Sequence, residues 1–198
     1  MADYKESVVL VTGAGKGLGR RVAQVFASQG ATVAVNDVSP VNLDETVARI
    51  QTAGGRVRAY VEDIAKKMPV QTLLNQVLED WGRIDILVNC AEVEPTLSVL
   101  EMDDWDWQRT LDVNLTGAFL LTQSVGRIMR EKGGGVILHV GERAKGPELR
   151  AAYFASKAGL AALSALAAYE LSEYSIRVYH IQPEEGKDIA AEVLALCA

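Results

Sequence analysis

Cysteine and histidine are scarce in this chain. Its 198 residues hold two cysteines, Cys90 and Cys197, and two histidines, His139 and His180. Two distant thiols make no disulfide framework, and neither residue type occurs at a metal-ligand spacing. Long apolar runs are lacking too. The alanine-rich stretch 158–168 falls well short of the roughly 20 residues that span a bilayer. The opening residues, Met1-Ala2-Asp3-Tyr4-Lys5-Glu6, have no apolar centre of the kind a secretion signal needs. Positive charge is not in excess. The formal net charge is -6, which argues against a nucleic-acid-binding surface. These absences leave a cytoplasmic protein with no membrane span as the expectation. Linker-like, repetitive and low-complexity stretches are also missing. Residues 1–198 therefore read as a single domain, long enough to bury a real core.

What the chain does have is alternation. Apolar strands are predicted at 8–11, 32–36, 57–61, 84–89, 135–140 and 177–182. Helical patterns lie between them at 19–28, 42–53, 69–81, 102–130 and 151–173. Strand–helix alternation predicts a doubly wound, three-layer α/β/α fold on a parallel sheet of about six strands. In such a sheet the ligand crevice lies beyond the carboxyl ends of the strands, where the strand order reverses. Asp37, Asp63, Asn89 and the turn after Val140 should therefore share one rim.

The first strand runs directly into Thr12-Gly13-Ala14-Gly15-Lys16-Gly17-Leu18-Gly19. Gly13 suits a tight turn, Gly17 lets backbone approach a pyrophosphate, and Gly19 lets the next helix pack against the strand. That helix would point its free N–H groups and positive dipole end at the anion. A glycine cluster alone is equally a plain surface turn. Its context favours a nucleotide: a strand precedes it, a helix follows, and Asp37 stands 18 residues beyond Gly19, where an acid meets a ribose hydroxyl.

A second constellation is Tyr153 and Lys157, four residues apart and so on one helical face. A nearby ammonium favours the phenolate and lowers the phenol's pKa from about 10. Such a phenol can exchange a proton with an alcohol or carbonyl oxygen. Spacing alone fits an ordinary surface pair as well. The helix follows the fifth strand, however, so its start can face the crevice.

The glycine segment followed by Tyr153-Phe154-Ala155-Ser156-Lys157 resembles the short-chain dehydrogenase/reductase family. Further similarities run almost end to end: Asp63-Ile64, Leu87-Val88-Asn89-Cys90-Ala91, Asp112-Val113-Asn114-Leu115, Ile176-Arg177-Val178 and Pro183. The resemblance implies a Rossmann fold that binds a nicotinamide dinucleotide and moves hydride to or from an alcohol or carbonyl carbon. It implies Tyr153 as acid/base, Lys157 as the group that lowers its pKa and holds the nicotinamide ribose, and Asn114 as support for a relay water. Cofactor contacts are implied at Gly13, Gly15, Lys16, Gly17, Leu18 and Gly19, at Asp37, Asp63 and Ile64, and at Asn89, Ala91, Tyr153, Lys157 and Pro183. No metal is implied. Asp37 favours NAD, because it would repel a 2′-phosphate; Lys16 is a contrary sign for NADP. Pairing of long helices in the family implies a homodimer, here through the alanine-rich 151–168.

The resemblance breaks on one side of the pocket. The family's Ser-Ser pair after the fifth strand reads Gly141-Glu142, and no Ser or Thr occurs between Ser124 and Ser156. An ionised Glu142 near Tyr153 would raise the phenol's pKa; it would otherwise pair with Lys157 or Arg143, or face solvent. His139 is either a substitute acid or a packed strand residue. The Gly closing the family's Asn-Asn-Ala-Gly segment is Glu92, whose side chain would project toward the cofactor. The Pro-Gly turn reads Pro183-Glu184-Glu185-Gly186 and lacks a following Thr. The family's substrate-covering loop and final strand have no counterpart before Ala198. The pocket is thus expected to lack a lid, and the polar strand 177–182 to form a sheet edge.

Two readings stand: an NAD-dependent oxidoreductase of weakened activity on an unidentified small molecule, or a non-catalytic NAD-binding homologue that acts as a sensor or assembly partner. A methyltransferase-like adenosyl binder fits the glycine turn but not the Tyr153/Lys157 pair. Millimolar NAD should raise the melting temperature, and Asp37→Ala should shrink that shift. No shift with NAD or NADP would remove the dinucleotide.

Overall fold

A computed structural model describes residues 4–141, 149–183 and 187–197. Six parallel strands form one sheet: β1 (Val8–Thr12), β2 (Thr32–Asp37), β3 (Arg56–Val61), β4 (Ile86–Asn89), β5 (Gly135–Val140) and β6 (Ile176–Ile181). Their order is β3-β2-β1-β4-β5-β6. The order reverses between β1 and β4, and there the crevice opens. β6 closes one side of this sheet among the described residues, as its polar sequence predicts.

Both faces of the sheet are covered, so its inner strands read as near-continuous apolar runs rather than alternating ones. Val9, Val11, Val33 and Val35 point to one face, where they meet Val22 and Phe26 of α1 (Gly17–Ser28), Leu43 and Ile50 of α2 (Pro40–Thr52), and Val193 of α7 (Ile189–Leu196). Val8, Leu10 and Ile137 point to the other. They meet Leu73 and Val77 of α3 (Lys67–Trp81), and Leu121, Val125 and Met129 of α5 (Ala118–Lys132). Ala167 of α6 (Ala151–Leu171) joins this second cluster.

Beyond shifts of one or two residues at the ends of other elements, such as α1, α3 and β4, the structure departs from the sequence reading in ways that have a local cause. The helix expected from 42 begins at Pro40, because Ser39 caps it by accepting the Asn42 N–H and Pro40 occupies its first turn. The long helix expected over 102–130 is α4 (Asp104–Leu111) joined to α5 through a π-helical turn, Asp112–Gly117. This wider turn carries Asn114, which is buried. A terminal helix, α7, was not expected. Asp188 caps it through the Ala190 N–H, and Tyr4 ties it to the core by donating to Leu194 O at 2.7 Å.

The stretch Ala151–Tyr174 is longer and more apolar than its alanine run suggests. It reaches the length and mean hydropathy (1.3) of a membrane-crossing helix. A core helix meets the same criterion. Here Ala152, Tyr153, Ser156, Lys157, Leu160 and Ser164 of the stretch are buried within the fold.

Candidate functional site

A cleft of about 690 Å³ opens at the carboxyl ends of the strands. Its floor at the switch point is the glycine turn. Gly13 has φ +63°, and a Cβ there would come within 2.6 Å of Ala91 Cα, so the turns after β1 and β4 touch through a missing side chain. Gly17 has φ +56° and lines the cleft, with nothing within 4 Å of where its Cβ would point. Lys16 precedes α1 without capping it through its side chain. The first N–H groups of α1 are therefore left to an anion. An open cradle beside a helix N-terminus fits the diphosphate of a dinucleotide.

The side of the cleft beyond β2 and β3 is acidic. Asp37, at the end of β2, accepts the Gly15 and Ser39 N–H groups, each at 3.0 Å, and so ties the glycine turn to the start of α2. Asp63 follows β3 and pairs with Arg109 of α4 at 2.8 Å. Burial opposes the Asp63 charge, but the Arg109 and Ala65 N–H bonds outweigh it and hold the carboxyl below its usual range. Arg109 also lines the cleft. It was missed in the sequence because 46 positions separate it from Asp63.

The opposite side is built on α6. Tyr153 lines the cleft wall at 4% exposure, and Lys157 lies beside it, 5.3 Å from the ring centroid and buried. Lys157 Nζ donates to Val140 O at 3.0 Å. The carboxylate that reaches the pair is Glu92. Its Oε2 accepts the Tyr153 O–H at 2.9 Å and lies 2.7 Å from Lys157 Nζ. Glu142 and Arg143, the partners considered in the sequence, lie outside the described residues, as do Glu184, Glu185 and Gly186. Arg150, immediately before α6, pairs with Glu94 and stands 5.5 Å over the Tyr153 ring. Its i, i+3 relation to Tyr153 was a usable signal for it.

Of the expected site residues, Gly13, Lys16, Gly17, Leu18 and Gly19 line the cleft, as do Asp37, Asp63, Ile64, Ala91, Tyr153 and Pro183. Four others stand behind its surface. Gly15 turns its N–H to Asp37. Lys157 is covered by Tyr153 and Glu92. Asn114 spends its amide on the Val93 N–H (2.8 Å), the Val93 carbonyl (3.0 Å) and Ser156 Oγ (3.0 Å). Asn89 turns away to His139, with Nδ2 3.2 Å from the imidazole Nδ1.

His139 is a core residue and not a substitute acid. It is fully buried, and its Nε2 lies 3.2 Å from Thr122 Oγ1. Thr122 donates its own proton to Ala118 O, so the imidazole Nε2 must donate and Nδ1 accept. Burial, then the charges of His180 and Lys157, push its pKa down to about 3. The Cys90 thiol on the cleft wall is pushed up to about 12 by burial and stays protonated. Among the described residues, no group of three or more His, Cys, Asp or Glu side chains is placed to hold a metal ion.

A six-stranded parallel sheet in this order, with a glycine turn at the switch point, defines a dinucleotide-binding α/β protein. The short chain dehydrogenase family model matches residues 7–187, and the chain belongs to that family. An uncharacterized oxidoreductase of Thermotoga maritima is 38% identical over 183 residues, 91% of this chain and 72% of that protein. A metagenomic short-chain oxidoreductase in complex with NADP superposes with a TM-score of 0.93 at 30% identity, covering 99% of this chain and 92% of the other. NAD+-bound xylitol dehydrogenase superposes with a TM-score of 0.88 at 32% identity, covering 99% and 77%. The chain's kinship is thus with NAD(P)-dependent oxidoreductases.

Burial of neutral His139 has a pH consequence. The unfolded chain takes up a proton near pH 6.5, whereas the fold keeps the imidazole neutral down to about 3. Between those values the unfolded state binds more protons, so stability falls as the pH drops. His139→Gln should flatten the slope of unfolding free energy against pH by up to about 1.4 kcal/mol per pH unit between roughly pH 6 and 4. Denaturant titrations across that range measure it, and an unchanged slope would mean that His139 titrates in the fold.

Proposed function

We propose that this chain binds NAD(H) in the cleft and transfers hydride between the nicotinamide and a small alcohol or carbonyl carbon, at a restrained rate. The observation that carries this reading is the Tyr153 phenol on the cleft wall with the Lys157 ammonium beside it. When bound, the nicotinamide supplies a carbon that gives or takes the hydride. The chain's own groups do the rest. The first turn of α1 and the open side of Gly17 take the diphosphate. Asp37 keeps oxygen lone pairs for a ribose hydroxyl beyond its two backbone N–H bonds, and its charge disfavours a 2′-phosphate. Tyr153 gives or takes the proton at its phenol oxygen. Lys157 holds that phenol in an electropositive setting as far as Glu92 permits.

The restraint has two sources. With no Ser or Thr between Ser124 and Ser156, no hydroxyl from that stretch joins Tyr153 at the substrate oxygen. Loss of one such donor costs about 2.7–4 kcal/mol of transition-state stabilisation in comparable sites. Glu92 also engages both Tyr153 and Lys157. That contact favours the second reading, a nucleotide-binding homologue without catalysis.

NADH oxidation with a panel of aldehydes and ketones separates the two. Tyr153→Phe should lower the rate at least a hundredfold while NADH still binds. Equal rates in both proteins would remove Tyr153 from the chemistry.

We also propose pairing through α5 and α6. A groove of about 410 Å³ between them is lined by Phe119, Leu166 and Tyr174, all exposed, which suits a two-fold contact. Sedimentation should show a species twice the chain mass. A single species of 21.4 kDa would sink it.

A further inference from the structure

The cleft wall carries a carboxylate for which hydride transfer has no task. Glu92 Oε2 serves the Tyr153 phenol at 2.9 Å and the Lys157 ammonium at 2.7 Å at once. Its placement is fixed from both sides. Asn114 clamps the next residue, Val93, through both of its backbone groups. Ser156, held by Asn114, donates to Tyr153 O inside α6. Lys157 is 6% exposed, and apart from Glu92 its ammonium meets only neutral groups among the described residues, the Val140 carbonyl and the Tyr153 ring. Glu92 thus supplies the buried ammonium with a negative partner.

A dinucleotide lies across the switch point with its diphosphate on the first turn of α1. The acid after β2, Asp37, assigns the adenosine half to the β2–β3 side. The other half must then cross Ala91, Glu92 and Tyr153 on the β4–β5 side. The phenol and ammonium it meets there are already joined to an ionised carboxylate. A neutral ribose hydroxyl is a weaker partner for an ammonium than a carboxylate is. The same negative charge also faces an incoming diphosphate.

Taking the cleft as a dinucleotide site, we propose that Glu92 is a specificity-determining residue. It leaves an adenosine-diphosphate half open and keeps the nicotinamide-riboside half closed with its own carboxylate. The open half recognises a free adenosine diphosphate about as well as the whole dinucleotide. The second half adds affinity only when Glu92 leaves Tyr153 and Lys157.

Calorimetric titration of ADP and of NADH into the wild-type chain, Glu92→Gly and Glu92→Gln tests this. In the wild type, NADH should bind no more than threefold tighter than ADP. Glu92→Gly should tighten NADH at least tenfold and move ADP less than twofold. Glu92→Gln, which keeps the side-chain size and loses the charge, should give a smaller gain in the same direction. ADP binding certifies the folded adenosine half in each variant, and Glu92→Gln carries the test if Glu92→Gly does not fold. Wild-type NADH binding ten or more times tighter than ADP would overturn the proposal. So would an NADH-to-ADP ratio that neither substitution moves. Binding of neither ligand to any of the three proteins would instead remove the dinucleotide site itself, and this inference with it.

Discussion

A Cβ at Gly19 would lie 2.3 Å from the carbonyl oxygen of Gly13, and a Cβ at Gly13 would lie 2.6 Å from Ala91. Those two missing side chains let the end of β1, the start of α1 and the turn after β4 meet. Every part of the cleft is referred to that contact. The first turn of α1 is aimed by it, Asp37 grips the same turn through Gly15, and Glu92 follows directly after Ala91. Overpacking a close contact of this kind costs about 1–3 kcal/mol. Here the displacement would pass straight into the diphosphate cradle.

Behind the cleft surface, His139 and Lys157 are buried with polar partners, while Asn89 leaves its Oδ1 unmatched. His139 is held between Asn89 and Thr122, and Lys157 between Val140 O and Glu92. Removing one partner of a buried charge costs far more than the pair gains over two apolar residues. The exposed Glu92 carboxylate gives the buried Lys157 ammonium its charged partner, even though hydride transfer calls only for the second. The site is thus a compromise between keeping a cation below the surface and leaving it available above.

The fold was largely legible in the sequence, because strand–helix alternation and the glycine turn are local signals. Ser39-Pro40 is also a local signal, a cap followed by a first-turn proline, and it places the helix start two residues before the apolar periodicity does. The short α7 offered only Asp188 before eight apolar-rich positions. The π-helical turn at Asp112–Gly117 has no residue that marks it. The site was legible wherever a motif carries it, at Gly13–Gly19, Asp37 and Tyr153. It was not legible where distant residues meet. Arg109 with Asp63, and Glu92 with Tyr153 and Lys157, depend on tertiary placement. Glu92 was visible as a departure, but its partners lie 61 and 65 positions away and only folding brings them near.

The helix that runs from α4 through the π-helical turn has a mechanical side. Arg109 holds Asp63 on the β3 side of the cleft, and Asn114 holds the Glu92–Val93 segment on the β4 side. Five residues of the rod separate the two grips, the last three of them in the π-helical turn. One rod is therefore clamped to both banks of the cleft, like a spacer bar. The distance between the banks is set by the rod's winding, and the wider turn begins within that span at Asp112, so a residue added or removed between the grips would change the gauge of the cleft itself.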